Sequence, residues 1–299
     1  ELAEEGVPVV AVDADLTGST TTKKFAAAAP ENADKLFNCG IAEQNMIDVA
    51  AGLALTGHVA YTGSFAVFGT GRAYDQIRNT VCYSNLDVKI CPTHAGVSVG
   101  PDGGSHQMLE DVSLMRGLPN MRVLVPADYA AARAAIKLAA KTPGPVYVRM
   151  GRAAVPCVYD DDVELELGRA YVLREGADAT VVACGVEIRE ALAAADALAA
   201  EGISIEVIDA FSVKPLDEDT ITASVAKTGC CVVAEEHSVH GGLGSAVAEC
   251  LVRKNPAPCE FVGVEDRFGK SGEFEELLGY FNLDAAAIAN AAKRAMGRK

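Results

Sequence analysis

Short apolar runs alternate with alanine-rich helical stretches along almost the whole chain. In the first half, strand-like runs lie at 8–12, 60–62, 88–92, 123–125 and 146–148, and helical patterns lie between them at 43–55, 71–84, 110–116 and 129–141. Strands that alternate with helices of about 10–15 residues are typical of βαβ units. The rhythm therefore predicts an α/β fold built on a doubly wound, mainly parallel sheet with helices on both faces.

A break in this rhythm divides the chain. Residues 151–168 hold Pro156, an acidic run at 160–162 and an alternating Glu-Leu-Glu-Leu stretch, which is typical of an exposed linker that enters a new strand. The alternation then resumes with strands at 179–183, 204–209, 230–234 and 259–264 and helices at 187–201, 217–227, 244–253 and 284–296. We therefore predict two doubly wound domains, 1–155 and 169–299, joined by a linker at 156–168.

Composition excludes several classes of function. The chain has 41 acidic and 26 basic residues and a formal net charge of −15, so its electrostatic field repels nucleic-acid phosphates. No apolar run reaches the roughly 18 residues of a membrane span. The nine cysteines form no CxxC pair, which indicates buried thiols in a reducing, cytoplasmic compartment. We expect neither a nucleic-acid nor a membrane partner, and an anionic substrate needs a few local arginine, histidine or backbone N–H groups.

Two segments put polar or aromatic groups where a fold alone does not require them. The run NCGIAEQN at 38–45 opens an apolar helix and places Glu43 in its first turn, where the helix dipole favours an anion. Taken alone, Glu43 is better explained as an ordinary N-terminal capping carboxylate. The run YTGSFAVFGTGR at 61–72 sets Phe65 and Phe68 among glycines and hydroxyls, which resembles a pocket wall, although this spacing also suits core packing.

Two further segments are loops that follow the strand at 88–92. The run THAG at 93–96 carries His94, and GPDGGSHQ at 100–107 carries Asp102 and His106. Residues just past the carboxyl end of a parallel strand lie where open α/β sheets bind ligands. A lone surface histidine is usually inert, but two histidines that flank a glycine-rich loop with an aspartate between them indicate a binding site.

Together these segments resemble a known family. The runs GIAEQN, SFAVF, THAG, GPDGGSHQ and LPNMRVLVPAD (118–128) are similar to the pyrimidine-binding domain of transketolases. The run EEHSVHGGLGSAVAE (235–249) resembles the C-terminal domain that follows it in that family. The resemblance covers essentially the whole chain and keeps the order and spacing of the motifs. It implies a thiamine-diphosphate pyrimidine-binding domain at 1–155 and a transketolase C-terminal domain at 169–299.

The resemblance also implies a cofactor and a partner chain. In transketolases a pyrophosphate-binding domain holds thiamine diphosphate and Mg²⁺ (or Ca²⁺) through a Gly-Asp-Gly…Asn motif, and the pyrimidine-binding domain of another subunit holds the aminopyrimidine ring. This chain lacks that motif. We therefore expect the separate C-terminal subunit of a split transketolase, whose N-terminal partner holds the metal in an α2β2 assembly. The implied reaction transfers a two-carbon ketol unit from a ketose phosphate to an aldose phosphate.

Motif matches imply the residues that bind the cofactor. Glu43 matches the catalytic glutamate that shares a proton with N1′ of the aminopyrimidine, and Phe68 matches the aromatic residue that stacks on that ring. The family often has a tyrosine three residues later, where this chain has Gly71. The pocket wall is therefore expected to be thinner there, unless Thr70, Arg72 or a partner residue replaces the contact. The implied cofactor-binding set is Glu43, Phe65, Phe68 and Arg72.

The resemblance places the sugar end of the substrate on the two loops. His106 matches the histidine that meets the donor's hydroxyls near the reacting carbon, and it is the second catalytic residue implied. Asp102 matches the carboxylate that reads the configuration of the neighbouring hydroxyl, and His94 matches a second sugar-facing imidazole. Hydrogen-bonding sites of this kind discriminate strongly, because an analogue that lacks the hydroxyl leaves buried polar groups unpaired.

The phosphate end of the substrate has alternative assignments. Asp15, or else Asp13, together with Ser19 resembles the family's run near the substrate phosphate. Arg152 aligns with the arginine that grips this phosphate, and Arg149 is the competing choice because its neighbouring strand position could point the other way. The planar, bidentate guanidinium suits an isolated anchor in a chain of this negative charge.

Other interpretations stay open at this stage. The segment 235–244 suits an anion nest at a helix start or, alternatively, a structural role at an interface. Deoxyxylulose-5-phosphate synthase shares the GIAEQ run but is normally one long chain. The β subunit of 2-oxo-acid dehydrogenases has about this length but lacks the paired loops in this form. The non-enzyme alternative is an inactive regulatory or scaffold subunit, against which the retention of Glu43, His94 and His106 argues.

Overall fold

The computed structural model describes residues 1–299 and arranges twelve strands in two sheets. The strands are β1 Val9–Asp13, β2 Leu36–Asn38, β3 Val59–Gly63, β4 Val88–Ile90, β5 Arg122–Leu124, β6 Val146–Val148, β7 Tyr171–Arg174, β8 Ala179–Ala183, β9 Ile205–Asp209, β10 Ser212–Lys214, β11 Cys231–Ser238 and β12 Cys259–Val264. The helices are α1 Thr22–Ala28, α2 Glu43–Leu55, α3 Tyr74–Gln76, α4 Asp111–Arg116, α5 Tyr129–Lys141, α6 Glu187–Ala199, α7 Glu218–Thr228, α8 Leu243–Lys254, α9 Phe274–Phe281 and α10 Ala285–Met296. None of these helices is both long enough and apolar enough to cross a bilayer.

Both sheets are mainly parallel. The first has the strand order β10-β5-β6-β4-β3-β1-β2, and the second has the order β12-β11-β8-β9-β7. All pairings are parallel except those of two edge strands, β10 against β5 and β7 against β9. Helices flank both sheets, so the predicted doubly wound α/β class is confirmed.

The central strands are continuous apolar runs because they are covered on both faces. Every residue of β1, β8 and β9 is buried, as expected for parallel strands beneath two layers of helices. The largest apolar cluster contains residues from both halves of the chain, such as Val10 on β1 and Val233 on β11. A second cluster surrounds the second sheet. The two halves therefore share packed apolar surface.

Strand β10 is not predicted by the sequence pattern, and it joins the first sheet. It follows β9 directly in the second half of the chain, yet it pairs antiparallel with β5 and covers that edge. Lys214 anchors it, because the ammonium group donates to the carbonyl oxygens of Arg116 and Leu118 at 2.9 and 2.5 Å. A three-residue strand that forms by pairing with a distant segment carries no periodic signal of its own.

Other elements also differ from the predicted pattern. The helix predicted at 71–84 begins earlier and is irregular, since π-type turns at Val67–Arg72 and Ile77–Cys82 flank the short α3. Single-turn π-bulges inside helices often occur at functional sites. The sequence pattern does not indicate helices α1 and α9 or strand β2, and 3₁₀ segments cover Pro30–Lys35 and Val97–Asp102.

Candidate active site

A polar cleft opens at the carboxyl ends of β1, β4 and β6. Its volume is about 410 Å³, and every residue in its lining is polar or glycine: Ser19, Thr20, Thr21, Thr93, His94, Gly151 and Arg152. These residues lie in loops that follow three strands of the first sheet, where open α/β sheets bind ligands. The cleft brings together Ser19, His94 and Arg152, three of the predicted substrate residues.

Glu43 is the first residue of α2, and its side chain is only 2% exposed. Both carboxylate oxygens accept hydrogen bonds from Nη1 of Arg72, at 3.1 and 3.0 Å. No backbone N–H of α2 donates to this carboxylate, so it does not cap the helix. A buried carboxylate whose protein contact comes from one half-exposed arginine is available to a ligand that displaces this arginine.

Two histidines pack against the two predicted phenylalanines. The imidazole of His94 stacks on Phe65, with ring centroids 3.8 Å apart and planes 18° apart. The ring of His106 meets Phe68 and Phe65 edge-on, with centroid distances of 5.3 and 6.2 Å. His94 also lines the cleft. The cluster therefore joins the polar cleft to the face of Phe68.

Arg72 completes the connection to Glu43. Its guanidinium carbon lies 4.7 Å from the centroid of the Phe68 ring, while Nη1 forms the ion pair with Glu43. Thr70 turns away, because its buried hydroxyl donates to the carbonyl oxygen of Ala66 at 2.6 Å. Of the two side chains considered as replacements for the family's tyrosine, Arg72 is the one that covers Phe68. An unbroken series of side-chain contacts thus runs from the cleft to Glu43.

His94 is a neutral hydrogen-bonding group in this setting. Burial lowers the pKa of His94 to about 4, and the positive charge of Arg152 acts in the same direction. Its Nδ1 lies 2.7 Å from the hydroxyl oxygen of Thr93, so Nε2 is left for a ligand. A neutral imidazole can donate through one nitrogen and accept through the other, and therefore can bind a sugar hydroxyl without adding charge.

Asp102 and Arg152 are neighbours at the edge of the cleft. The guanidinium Nη1 lies 3.8 Å from the Asp102 carboxylate and donates to the carbonyl oxygen of Val99 at 2.6 Å. The Arg152 side chain is 42% exposed, so its remaining donors can reach a ligand. His106, on the same loop as Asp102, has Nδ1 at 2.9 Å from the Ser105 hydroxyl.

Arg149, the competing phosphate anchor, is buried and is paired through its Nε and Nη2 atoms. Its Nε donates to the Asp111 carboxylate at 2.7 Å, and its Nη2 donates to the carbonyl oxygen of Glu236 at 2.8 Å. Burial alone would lower the pKa of Arg149, but the negative charges of Asp111 and Glu236 outweigh burial and keep this pKa above its ordinary value. Arg149 is therefore a buried structural cation. The geometry therefore favours Arg152 as the arginine that is open to the cleft.

The two aspartates after β1 differ in position. Asp13 is buried and accepts hydrogen bonds from the hydroxyls of Thr20 and Thr22 at 2.8 and 2.9 Å, so it shapes the loop that carries Ser19. Asp15 is not part of the cleft lining, and its backbone N–H donates to the side-chain oxygen of Asn38 at 3.1 Å. Thr20 and Thr21 also line the cleft and are not among the predicted site residues, although the hydroxyl run 19–22 lies in the loop after the first strand.

Of the two interpretations offered for 235–244, an anion nest or a structural role, the contacts favour the structural one, because the helix start already binds a carboxylate of the chain itself. Glu235 accepts the backbone N–H groups of Leu243 and Gly244 at 2.8 Å each and thereby caps α8. The helix start is therefore not open to a ligand. No group of three or more His, Cys, Asp or Glu side chains in the structure is arranged to hold a metal ion.

Known proteins resemble this chain along its whole length. The model of the transketolase pyrimidine-binding domain matches residues 1–158, and that of the transketolase C-terminal domain matches residues 168–288. A putative transketolase C-terminal section from Methanocaldococcus jannaschii is 45% identical, over 97% of this chain and 90% of its own. A 6-deoxy-6-sulfo-D-fructose transketolase subunit from Clostridium sp. (strain MSTE9) is 42% identical, over 100% and 92% respectively.

A solved structure extends the likeness to three dimensions. It is described as a split gene transketolase in the form of an inactive β4 tetramer. It superimposes with a TM-score of 0.90 at 48% sequence identity, covering 100% of this chain and 95% of its own.

Proposed function

Because this chain belongs to the transketolase family in both of its domains, we propose that it is the C-terminal subunit of a split, thiamine-diphosphate-dependent transketolase. The reaction moves a two-carbon ketol unit from a ketose phosphate to an aldose phosphate. The observation that carries this proposal is the series of contacts that joins the polar cleft, through His94, Phe65 and Phe68, to the buried Glu43.

The surroundings of Glu43 fit an aminopyrimidine ring. The guanidinium of Arg72 is planar and rich in N–H donors, and it lies over Phe68 while donating to Glu43. A planar heterocycle that carries N–H groups can make the same two contacts, so the guanidinium is a stand-in for it. When bound, thiamine diphosphate supplies the carbon nucleophile that attacks the donor's carbonyl group. The N-terminal partner subunit is proposed to hold the diphosphate and Mg²⁺.

Each residue of the site then has a distinct task. Glu43 holds a proton at N1′ of the ring in a position from which water is largely excluded. Phe68 supports the ring from one face. His106 and Asp102 bind the donor's hydroxyls, and neutral His94 adds a hydrogen bond without a charge. These contacts orient the reacting carbon, and polar groups preorganised in this way stabilise the charge that develops there.

Arg152 is proposed to bind the anionic end of the substrate, with the hydroxyls of Ser19 and Thr21 beside it in the cleft. A bidentate guanidinium suits a tetrahedral anion, and the formal net charge of −15 makes such a local cation necessary. We propose phosphate as this anion. The competing possibility is a sulfonate, because one relative is named for 6-deoxy-6-sulfo-D-fructose.

The partner subunit is proposed to be required for activity. The similar solved structure is described as inactive in its β4 form, which favours the same dependence here. We propose an α2β2 assembly with the N-terminal subunit. The nine free cysteines suit a reducing compartment, and we propose the cytoplasm.

The test is co-expression with the candidate N-terminal subunit and an assay of ketol transfer from a ketose phosphate, its 6-sulfo analogue and the unphosphorylated ketose. Activity is expected only with both subunits, thiamine diphosphate and Mg²⁺, and most strongly with the phosphate. Glu43→Gln should abolish turnover, whereas Asp48→Asn, an exposed carboxylate on the same helix, should retain it. Full activity from this chain alone, or none from the pair with any donor, overturns the proposal.

A further inference from the structure

The loop that carries the sugar-binding residues has a backbone that needs outside support. This substrate loop, residues 93–107, contains His94, Asp102 and His106. It has positive φ angles at Gly96, Gly100 and Gly103, and also at His94, where φ is 63°. A non-glycine residue in this region of backbone space is uncommon, and such conformations persist where the surrounding structure holds them.

Glu236, on β11 of the second sheet, supplies one of these supports. Its side chain is 2% exposed, and its carboxylate accepts hydrogen bonds from the backbone N–H of Ser98 and, at 3.2 Å, from the Ser98 hydroxyl. The carboxyl group also lies so close to Gly96 that a methyl group at that position would overlap it. The loop is therefore shaped around this one side chain.

The position of Glu236 is itself fixed. Its carbonyl oxygen accepts from Arg149 at 2.8 Å, and Arg149 is in turn paired with Asp111. The next residue but one, Ser238, donates its backbone N–H to the carbonyl oxygen of Leu109 at 2.8 Å. The pairing that removes Arg149 from the cleft thus ties the strand carrying Glu236 to the first half of the chain.

A second contact holds the far end of the loop. Gln107 donates its side-chain amide to the carbonyl oxygen of Lys270 at 2.9 Å and to that of Val97 at 3.0 Å. An added methyl group at Gly104 would lie 2.7 Å from the carbonyl oxygen of Gly269. Both ends of the loop are therefore packed against the second half of the chain.

From these contacts we infer that Glu236 is a positioning residue for the sugar end of the proposed transketolase site. It is buried and does not line the cleft, but it holds Ser98 and Gly96 between His94 and Asp102 and so sets the spacing of the sugar-binding groups. The C-terminal domain thereby takes part in substrate binding. The expected effect on the donor's KM rests on the proposed function. The contact between Glu236 and Ser98 does not depend on it.

The test compares Glu236→Gln with Glu235→Gln in the complete two-subunit assembly. Glu235 is the adjacent buried carboxylate, which also accepts backbone N–H groups but caps α8 and does not contact the loop. The amide keeps one acceptor oxygen for the two Ser98 donors, carries no negative charge, and can hold the Ser98 hydroxyl only if that hydroxyl turns round to accept from the new NH₂ group. Hydrogen–deuterium exchange of peptides from 93–107 measures how firmly the loop backbone is held. Steady-state kinetics measures the effect of the loop on the KM of the donor.

We expect Glu236→Gln to speed exchange in the substrate loop about tenfold, which is the scale of leaving a buried donor without its partner. The donor's KM should rise by a similar factor, and the dissociation constant of thiamine diphosphate should stay within about twofold, because Glu43 and Phe68 are untouched. Glu235→Gln should leave loop exchange and KM near the wild-type values, even if it lowers the melting temperature.

Two results overturn the inference: unchanged exchange in the loop of Glu236→Gln, or equal acceleration in both variants. Faster exchange with an unchanged KM also overturns it, since Glu236 then supports the loop without affecting substrate binding. Should the wild-type assembly transfer no ketol group, the proposed function fails and the catalytic part of the inference fails with it. The exchange comparison still decides whether Glu236 holds the loop.

Discussion

Replacement of Arg72 by alanine is expected to tighten the binding of thiamine diphosphate to the assembled enzyme. The guanidinium of Arg72 covers the ring of Phe68 and pairs with Glu43, the two groups proposed to bind the aminopyrimidine. A cofactor that uses both groups must first displace this side chain. The alanine variant has nothing to displace, and its remaining contacts with the cofactor are unchanged.

The size of the gain follows from the two contacts that are lost. The Arg72 side chain is 51% exposed, so its ion pair with Glu43 is discounted for solvent screening to about 0.2–1 kcal/mol. The cation–π contact with Phe68, at 4.7 Å, adds about 0.5–1 kcal/mol at an exposed site. The sum of about 0.7–2 kcal/mol corresponds to roughly 3–30-fold tighter binding.

The assay is calorimetric titration of the two-subunit assembly with thiamine diphosphate at saturating Mg²⁺. Arg78→Ala is the matched control, because Arg78 is an exposed arginine on the same irregular helix and contacts Asn79 rather than Glu43. Its affinity should equal that of the wild type. Weaker binding by Arg72→Ala refutes the reasoning and makes Arg72 a direct ligand of the cofactor. Unchanged binding means that the guanidinium leaves the site at no cost.

Three further changes test other parts of the structure. Glu43→Gln should slow hydrogen–deuterium exchange at C2 of the bound cofactor by orders of magnitude, with an unchanged melting temperature; an unchanged exchange rate contradicts the proton-sharing role. Arg152→Ala should raise KM about 10–100-fold for the phosphorylated donor alone, the scale of a charge-assisted hydrogen bond, and an equal effect on the unphosphorylated donor rules it out as the anchor. Burial raises the pKa of the Glu187 carboxyl well above its ordinary value of 4.5, and both of its oxygens lack partners. The folded chain then keeps a proton that the unfolded chain releases above that value, so stability falls as pH rises, by up to about 1.4 kcal/mol per pH unit. The difference in melting temperature between Glu187→Gln and the wild type should therefore grow in favour of the variant from pH 5 to pH 8. A difference that stays constant with pH contradicts this explanation.

The parts of the fold that the sequence predicts are those that depend on local pattern. The predicted bounds of α2, α5, β6, β8 and β12 coincide with those of the structure, because amphipathic helices leave a periodic signal and buried strands leave short apolar runs between turn residues. Strand β10 depends on a partner about ninety residues earlier in the chain, so no local pattern marks it.

The same distinction between local pattern and distant contacts applies to the candidate site. Motif matches selected Ser19, His94 and Arg152, which line one cleft. The choice between Arg152 and Arg149 was open, because both follow the same strand; the buried partner of Arg149, Asp111, lies 38 residues away and is visible only in three dimensions. The contact of Glu236 with Ser98 spans 138 residues and links the two halves, so it too has no local signal.

Strand β10 bears on how such a subunit can be divided or recombined. A fragment that stops near the predicted linker at 156–168 leaves the backbone N–H and C=O groups of β5 without their antiparallel partner, and a bare sheet edge promotes pairing between copies. In a chimaera joined at this predicted linker, the second half comes from another protein. That half then supplies both the edge strand that replaces β10 in the first sheet and the residue that replaces Glu236 beside Gly96. The segment matched as the pyrimidine-binding domain, residues 1–158, is therefore not a unit that can be exchanged by itself. A productive graft has to carry β10 and Glu236 along with the sheet and the loop that they complete.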